Sequence, residues 1–209
     1  MLKSRQYYGR ARIWPSLLGM VQDTNVLDIG CGTGKLGEYL KKEFKCNVVG
    51  IEIEEMNIAE AALNIDTVYL GDIESFNIER IDSRFDYIIF SDSLEHLNDP
   101  WSVIIRIKKL LSPGGKLLIA IPNVRCFRVT LPLIFADSWE YKDEGLLDKT
   151  HLRFFTLTSV TSLLKECGFY IEDIQFELPL SSKVGKLNLA TLGVLKRHLS
   201  SHYYIKAAM

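Results

Sequence analysis

The stretch NVLDIGCGTGKLGEYL, residues 25–40, decides the fold. A short apolar run with one aspartate leads into a loop with four glycines in eight positions, and a helical pattern follows. A glycine-rich turn from a strand into a helix leaves the backbone bare and presents the free N–H groups of the helix N-terminus. The stretch therefore predicts a strand, a ligand-binding loop and a helix, which together form one unit of an α/β sheet.

The rest of the chain repeats this alternation, which is typical of a mostly parallel sheet wrapped by helices. The predicted strands cover residues 25–29, 47–53, 67–72, 85–91, 116–121, 169–177 and 202–208. After the glycine loop, predicted helices cover residues 54–64, 99–111 and 158–167, the last capped by Thr156 or Thr158 and ended by Gly168. Residues 178–201 show no clear pattern. Without an internal repeat or linker, we expect a single domain over residues 1–209.

Composition excludes several classes of protein. Apolar residues make up 47% of the 209 and charged residues 24%, which rules out extensive disorder. The net charge of -1 gives no bulk attraction to nucleic acid or anionic membrane. The absence of a long apolar run and of a secretory h-region predicts a cytoplasmic protein without membrane insertion. The cysteines are Cys31, Cys46, Cys126 and Cys167, whose wide spacing predicts reduced thiols and no metal site.

The glycine loop is formally compatible with a dinucleotide. Gly32, Gly34 and Gly37 satisfy the GxGxxG spacing, and Glu52 follows Gly32 by twenty residues. A nicotinamide-dependent oxidoreductase is therefore one hypothesis for this chain.

Four acidic residues favour a different ligand. Asp28 and Glu52 lie near the ends of the first two predicted strands, Asp72 ends the third, and Asp92 follows the fourth. Parallel strands open their carboxyl ends onto one crevice, so four acids at that crevice would repel a pyrophosphate. A cationic ligand with a ribose and an amino group suits the crevice better, since Glu52 can accept hydrogen bonds from both ribose hydroxyls. S-adenosylmethionine fits this description.

The motifs in succession resemble those of class I S-adenosylmethionine-dependent methyltransferases. The resemblance rests on VLDIGCGTG, VVGIEI, GDI, FDYIIFSDSLEHLNDP and LLSPGGKLLIAIPN, and it covers nearly the whole chain. It is closest to the small-molecule branch, including the ubiquinone-biosynthesis type. It implies a Rossmann-like, doubly wound sheet of seven strands with helices on both faces and an antiparallel last strand. The implied cofactor is S-adenosyl-L-methionine, and the implied product is S-adenosyl-L-homocysteine.

The same resemblance implies which residues bind the cofactor. The glycine loop would hold the methionine part, Glu52 the ribose, and Asp72 with Ile73 the adenine, while Arg10 would reach the carboxylate. Asp28 would fix the loop or bind the amino group through water. The complete predicted set is Arg10, Asp28, Gly30, Cys31, Gly32, Gly34, Glu52, Ile53, Asp72, Ile73, Ser91 and Asp92.

Two histidines are candidates for a general base, which an un-ionised acceptor needs. His96 follows the fourth predicted strand, and the alternative is that it caps the next helix. His151 lies in LLDKTHLRFFT, which resembles a segment of methyltransferases associated with bacterial glycan synthesis. Its alternative role is to anchor this segment through Asp148. His198 and His202 are expected to be surface or packing residues.

Two regions are expected to extend the sheet domain, namely an N-terminal helical cap over about residues 1–24 and a substrate-side insert over about residues 123–155. Aromatic and basic residues of the insert would either face a small acceptor or pack on the sheet and stay solvated. An oxygen of a sugar, phenol, glycan precursor or related metabolite is the expected acceptor. Nucleic acid is disfavoured, because no NPPY-like tetrapeptide follows the fourth strand. A non-catalytic cofactor-binding subunit is a further alternative, and the sequence predicts no oligomeric state.

Overall fold

A computed structural model of the protein describes residues 19–178 and 183–209. Seven strands form one sheet in the order β3-β2-β1-β4-β5-β7-β6. The strands are β1 Asn25–Ile29, β2 Asn47–Glu52, β3 Thr67–Leu70, β4 Phe85–Ser91, β5 Leu111–Pro122, β6 Tyr170–Phe176 and β7 His202–Ala208. The strands from β3 to β5 pair in parallel, whereas β7 is antiparallel to both β5 and β6. The predicted Rossmann-like sheet with an antiparallel last strand is confirmed.

The helices follow the predicted alternation. They are α1 Lys35–Phe44, α2 Glu55–Asn64, α3 Pro100–Ile107, α4 Phe127–Ala136, α5 Leu157–Glu166, α6 Lys183–Ala190 and α7 Lys196–Leu199. Thr156 caps α5 through a reciprocal capping box with Ser159, and Gly168 follows this helix at φ 82. The region in which the sequence shows no pattern contains α6 and α7.

Three predicted boundaries are wrong by two residues or more: the end of the helix 99–111, the start of the strand 116–121 and the end of the strand 67–72. The helix predicted over residues 99–111 ends at Ile107, because a 3-10 turn follows and Leu111 already pairs with Phe85 in the sheet. The register shifts after that pair, so the Pro-Gly-Gly stretch is accommodated as an irregularity within β5. The third strand ends at Leu70 because the carbonyl of Asp72 accepts two N–H groups in a turn.

Alternate strand residues pack into two cores on opposite faces of the sheet. Leu27 and Ile29 contribute to one core, together with apolar residues of α3 and α5. Val26 contributes to the other core, with residues of α1 and α2. The two-residue period of the strands thus explains why helices cover both faces.

The predicted cap and insert are described unequally. Most of the cap, and Arg10 with it, lies outside the described residues, while residues 19–24 form a turn and bends before β1. The two ends of the predicted insert meet, because Asn123 forms an isolated bridge with Phe155 and the Val124 N–H donates to the Phe155 carbonyl at 3.0 Å. In the described part of the chain, no helix has both the length and the apolar character needed to cross a membrane.

Candidate functional site

A cavity of about 320 Å³ opens at the carboxyl edge of β1, β2 and β4 and beneath the loop after β3. This edge is where open α/β sheets bind ligands. The predicted site residues that line this cavity are Gly30, Ile53, Asp72, Ile73, Asp92 and His96. Lining residues outside the predicted site set include Glu74, Ser93, Leu97 and Asn98. The fold therefore brings five of the twelve predicted cofactor-binding residues and one candidate base to one cavity.

Gly30 has no side chain, which allows the loop after β4 to pack closely against the end of β1. Its φ is +74, and an added Cβ would lie 2.9 Å from the Ser93 Cβ. The Ser93 hydroxyl donates to the Ile29 carbonyl at 2.7 Å and holds the loop against the strand. A larger residue at position 30 would separate these two walls of the cavity.

Gly34 and Cys31 of the glycine loop serve packing. Gly34 begins α1 at φ 75, and an added Cβ would lie 3.2 Å from the Ala61 Cα of α2. Cys31 is buried, and its thiol packs over Gly50 of β2. Neither residue lines the cavity, and nor do Gly32 and Ser91.

Glu52 fastens the loop to β2. One carboxylate oxygen accepts the Gly32 N–H at 2.6 Å and the other accepts the Glu54 N–H at 2.8 Å. The Glu52 residue is 5% exposed, and both hydrogen bonds are partly buried. The predicted contact with a ribose remains a prediction, and the structure adds a role in shaping the loop.

Asp28 lies buried beneath the loop. Its Oδ1 atom has no hydrogen-bond partner among the described residues. Burial, and secondarily the negative charge of Glu52, raises the pKa of Asp28 to about 7. A buried acceptor without a partner is suited to a cationic donor, so this residue fits the amino group of a ligand.

His96, His151 and Glu95 meet beside the cavity. The two imidazole centroids are 4.9 Å apart, and His151 Nε2 lies 3.8 Å from Glu95 Oε1. Glu95 is 1% exposed, and neither of its carboxylate oxygens has a hydrogen-bond partner among the described residues. Burial, and then the neighbouring His96, lowers the pKa of His151, so its imidazole is neutral at pH 7. Burial, and then Asp92, raises the pKa of Glu95 well above its usual range.

These three side chains also form a possible metal site. One ligand atom from each lies within 4.8 Å of the others. Two imidazoles and a carboxylate suit Mn²⁺, Fe²⁺ or Zn²⁺. The sequence predicted no metal site, because Glu95 and His96 are adjacent but His151 comes much later in the chain. The insert brings His151 back, since the N–H groups of Leu152 and Arg153 both donate to the Glu95 carbonyl at 2.9 Å.

His202 also lies at the site, although the sequence suggested a surface or packing role. It is buried, with Nδ1 2.9 Å from Glu177 Oε2 and Nε2 3.4 Å from Asp92 Oδ1. Because β7 is antiparallel, its first residue lies at the same edge as the carboxyl ends of the parallel strands. The predicted antiparallel last strand was the available signal. His198, by contrast, contacts the exposed Arg125 at 3.0 Å.

An aromatic cluster of the insert contacts His151 through Phe154. Phe154 contacts Trp139 at a centroid distance of 5.3 Å, Tyr141 at 6.3 Å and His151 at 6.2 Å. Phe135, in contrast, is 82% exposed. Part of the predicted aromatic set therefore forms a wall beside the candidate base, and part of it does not.

A family model described as a methyltransferase domain matches residues 5–174. The chain belongs to this methyltransferase family. Membership of this family agrees with the class I resemblance, which implies S-adenosylmethionine as the methyl donor. This membership decides against the nicotinamide-dependent alternative that the glycine spacing left open.

Curated relatives include methyltransferases of known name. A ubiquinone biosynthesis O-methyltransferase of Rhodopseudomonas palustris is 32% identical over 161 residues, which cover 75% of this methyltransferase and 62% of the relative. The chain thus spans about three fifths of that relative's length.

Solved methyltransferases share the fold. One from Archaeoglobus fulgidus has a TM-score of 0.68 at 20% identity, with 97% of this chain and 93% of that chain covered. One from Mesorhizobium loti has a TM-score of 0.66 at 20% identity, with 93% and 96% covered. At such identity the likeness supports the fold alone.

Proposed function

We propose that this methyltransferase transfers a methyl group from S-adenosylmethionine to an oxygen of a small molecule, such as a phenol, a sugar or a glycan precursor. The observation that carries the proposal is the position of His96, which lines the cavity on one side and contacts the buried His151 on the other. The relatives named ubiquinone biosynthesis O-methyltransferase support oxygen as the accepting atom. Free, buried cysteines are consistent with a cytoplasmic location.

The cavity would receive the cofactor as the motifs imply. Asp72 and Ile73 would border the adenine, Glu52 would accept from the ribose, and Gly30 would leave room for the methionine part. Asp92 and His96 would then border the sulfonium. Because the methyl group is already activated, the protein's main contribution is alignment of the two reactants, which supplies about 7–11 kcal/mol of barrier reduction. The neutral His151 would accept the proton of an un-ionised hydroxyl.

The buried Glu95 supports a second way of activating the acceptor. A divalent cation held by Glu95, His96 and His151 would lower the pKa of a hydroxyl bound to it. In that case Mn²⁺ should give an electron paramagnetic resonance spectrum of a bound ion in the wild type and only of the free ion in Glu95→Gln. Activity should also fall about tenfold or more after chelation and recover with the ion. Full activity in chelator would leave His151 as the base.

Asp28 gives the cofactor affinity a pH dependence. An ammonium near this carboxyl favours its ionised form, so binding releases the proton that the raised pKa of about 7 retains. The dissociation constant of S-adenosylhomocysteine should therefore fall as pH rises from about 6 to about 8. Asp28→Asn should flatten this dependence in calorimetric titrations.

The raised pKa of Asp28 also affects stability. The free energy of unfolding should fall as pH rises from about 4 to the raised pKa of Asp28, because the folded state binds more protons than the unfolded state over this interval.

The acceptor is found by measuring S-adenosylhomocysteine release across sugars, phenols, amines and carboxylic acids. We expect turnover with at least one hydroxylated compound. Turnover confined to amines would overturn oxygen as the accepting atom. Tight cofactor binding without turnover of any compound in a wide panel would instead favour the non-catalytic alternative.

A further inference from the structure

The cofactor cavity has a wall made by two loops that one carboxylate joins. Glu74, after β3, accepts hydrogen bonds from the segment after β4: Oε2 from the Asn98 N–H at 3.1 Å and its amide nitrogen at 2.9 Å, and Oε1 from the Asp99 N–H at 2.8 Å. Glu74 and Asn98 both line the cavity. Removing this carboxylate would leave the two loops without their side-chain link.

Arg106 of α3 supports the same wall from behind. Its guanidinium donates to the carbonyl of Glu74 at 2.8 Å and also to the carbonyl of Ile73. Ile73 is one of the residues that the resemblance assigns to the adenine. The backbone at the adenine side is thus held by a helix as well as by the neighbouring loop.

The insert attaches to the other side of this wall. The guanidinium of Arg153 donates to the Asn98 carbonyl, with Nε at 3.1 Å. His96 precedes Asn98 by two residues, and one of its ring nitrogens lies 3.1 Å from the Thr150 carbonyl oxygen. The Arg153 guanidinium is therefore hydrogen-bonded to the loop after β4, which also lines the cofactor cavity.

We propose that Glu74 and Arg153 are positioning residues that join the cofactor cavity to the acceptor side through Asn98. Cofactor in the cavity fixes the wall and the wall holds Arg153. The Arg153 guanidinium, together with the backbone hydrogen bonds to the Glu95 carbonyl, holds the insert segment that carries His151. Cofactor binding therefore orders the acceptor side before the acceptor arrives. The coupling rests on the cavity being the cofactor site, and it holds whichever acceptor the enzyme uses.

Hydrogen exchange of the insert tests the coupling without any acceptor. In the wild type, saturating S-adenosylhomocysteine should slow exchange of the amides of residues 148–155 about fivefold or more. Arg153→Met should bind S-adenosylhomocysteine within about threefold of wild type, yet lose this protection. Glu74→Gln should lose the protection and also bind about tenfold more weakly.

Matched controls are Arg128→Met, which removes an exposed arginine of the same insert, and Glu79→Gln, which removes an exposed glutamate near Glu74. Both should keep wild-type affinity and wild-type protection. Protection of the insert in Arg153→Met equal to that of the wild type would overturn the proposal, and so would a wild-type insert that does not respond to bound S-adenosylhomocysteine. A failure of binding itself in the wild type would instead overturn the proposed cofactor site.

Discussion

Glu52→Ala is expected to raise the dissociation constant of S-adenosylhomocysteine about 100-fold. The Glu52 carboxylate accepts the backbone N–H groups of Gly32 and Glu54 in a buried position. Without it, two part-buried backbone donors lose their partner and the glycine loop loses its link to β2. Each charge-assisted hydrogen bond contributes about 1.5–3 kcal/mol, so the loss of two accounts for the expected change. Calorimetric titration measures it directly.

The control is Glu55→Ala, which removes an exposed carboxylate three residues away at the start of α2. This variant should bind S-adenosylhomocysteine as the wild type does. Both variants should show one cooperative thermal transition, so that weaker binding is not confused with unfolding. Wild-type affinity in Glu52→Ala would remove this residue from the account.

His151→Asn is expected to lower kcat about 100-fold, the lower end of what general acid–base catalysis contributes. Asparagine keeps a polar side chain beside Glu95 but cannot accept the proton of the acceptor. The dissociation constant of S-adenosylhomocysteine should stay within about threefold, because His151 is not among the residues that line the cavity. The measurement is a steady-state assay with the acceptor identified in the compound panel.

His198→Asn is the matched control, since His198 contacts Arg125 and not the cluster around Glu95. It should leave kcat unchanged. A His151→Asn variant with the turnover of the wild type would show that the buried histidine anchors the insert and takes no part in the chemistry. In that case His96→Asn becomes the variant to measure.

Local patterns were sufficient to predict most of the fold. The strands β1, β4 and β7 have the predicted bounds, because a run of apolar or β-branched residues ends there at a clear change of pattern. The helix α5 begins directly after Thr156, one of the two predicted cap residues. The stretch after Ile107 was harder, because Pro and Gly usually end regular structure, whereas here an irregular β5 includes them.

The site was predicted less completely, because long-range contacts decide it. The glycine spacing treats all loop glycines alike, yet Gly30 lines the cavity while Gly34 packs against α2. Four acids were expected at one crevice, and two of them, Asp72 and Asp92, line the cavity. Glu52 is engaged by the backbone, and Asp28 is buried below. The spacing of residues along the sequence does not show which of them line the cavity and which are held by other parts of the protein.

The contribution of His202 and Glu74 could not be predicted from neighbouring residues. His202 reaches Asp92 only because β7 runs antiparallel beside β5. Glu74 joins a loop after β3 to the loop after β4, although these strands are not neighbours in the sheet. Both contacts depend on the order of the strands, which a local pattern does not specify.

A crystal structure with bound S-adenosylhomocysteine is the most direct test of the central claim, that the cavity beside His96 receives the methyl donor. The account predicts adenine against Asp72 and Ile73, the amino group towards Asp28, and the sulfur facing His96 and His151. The claim is contradicted if the ligand occupies the separate groove lined by Arg84 and Arg106. It is contradicted equally if the sulfur faces away from both histidines.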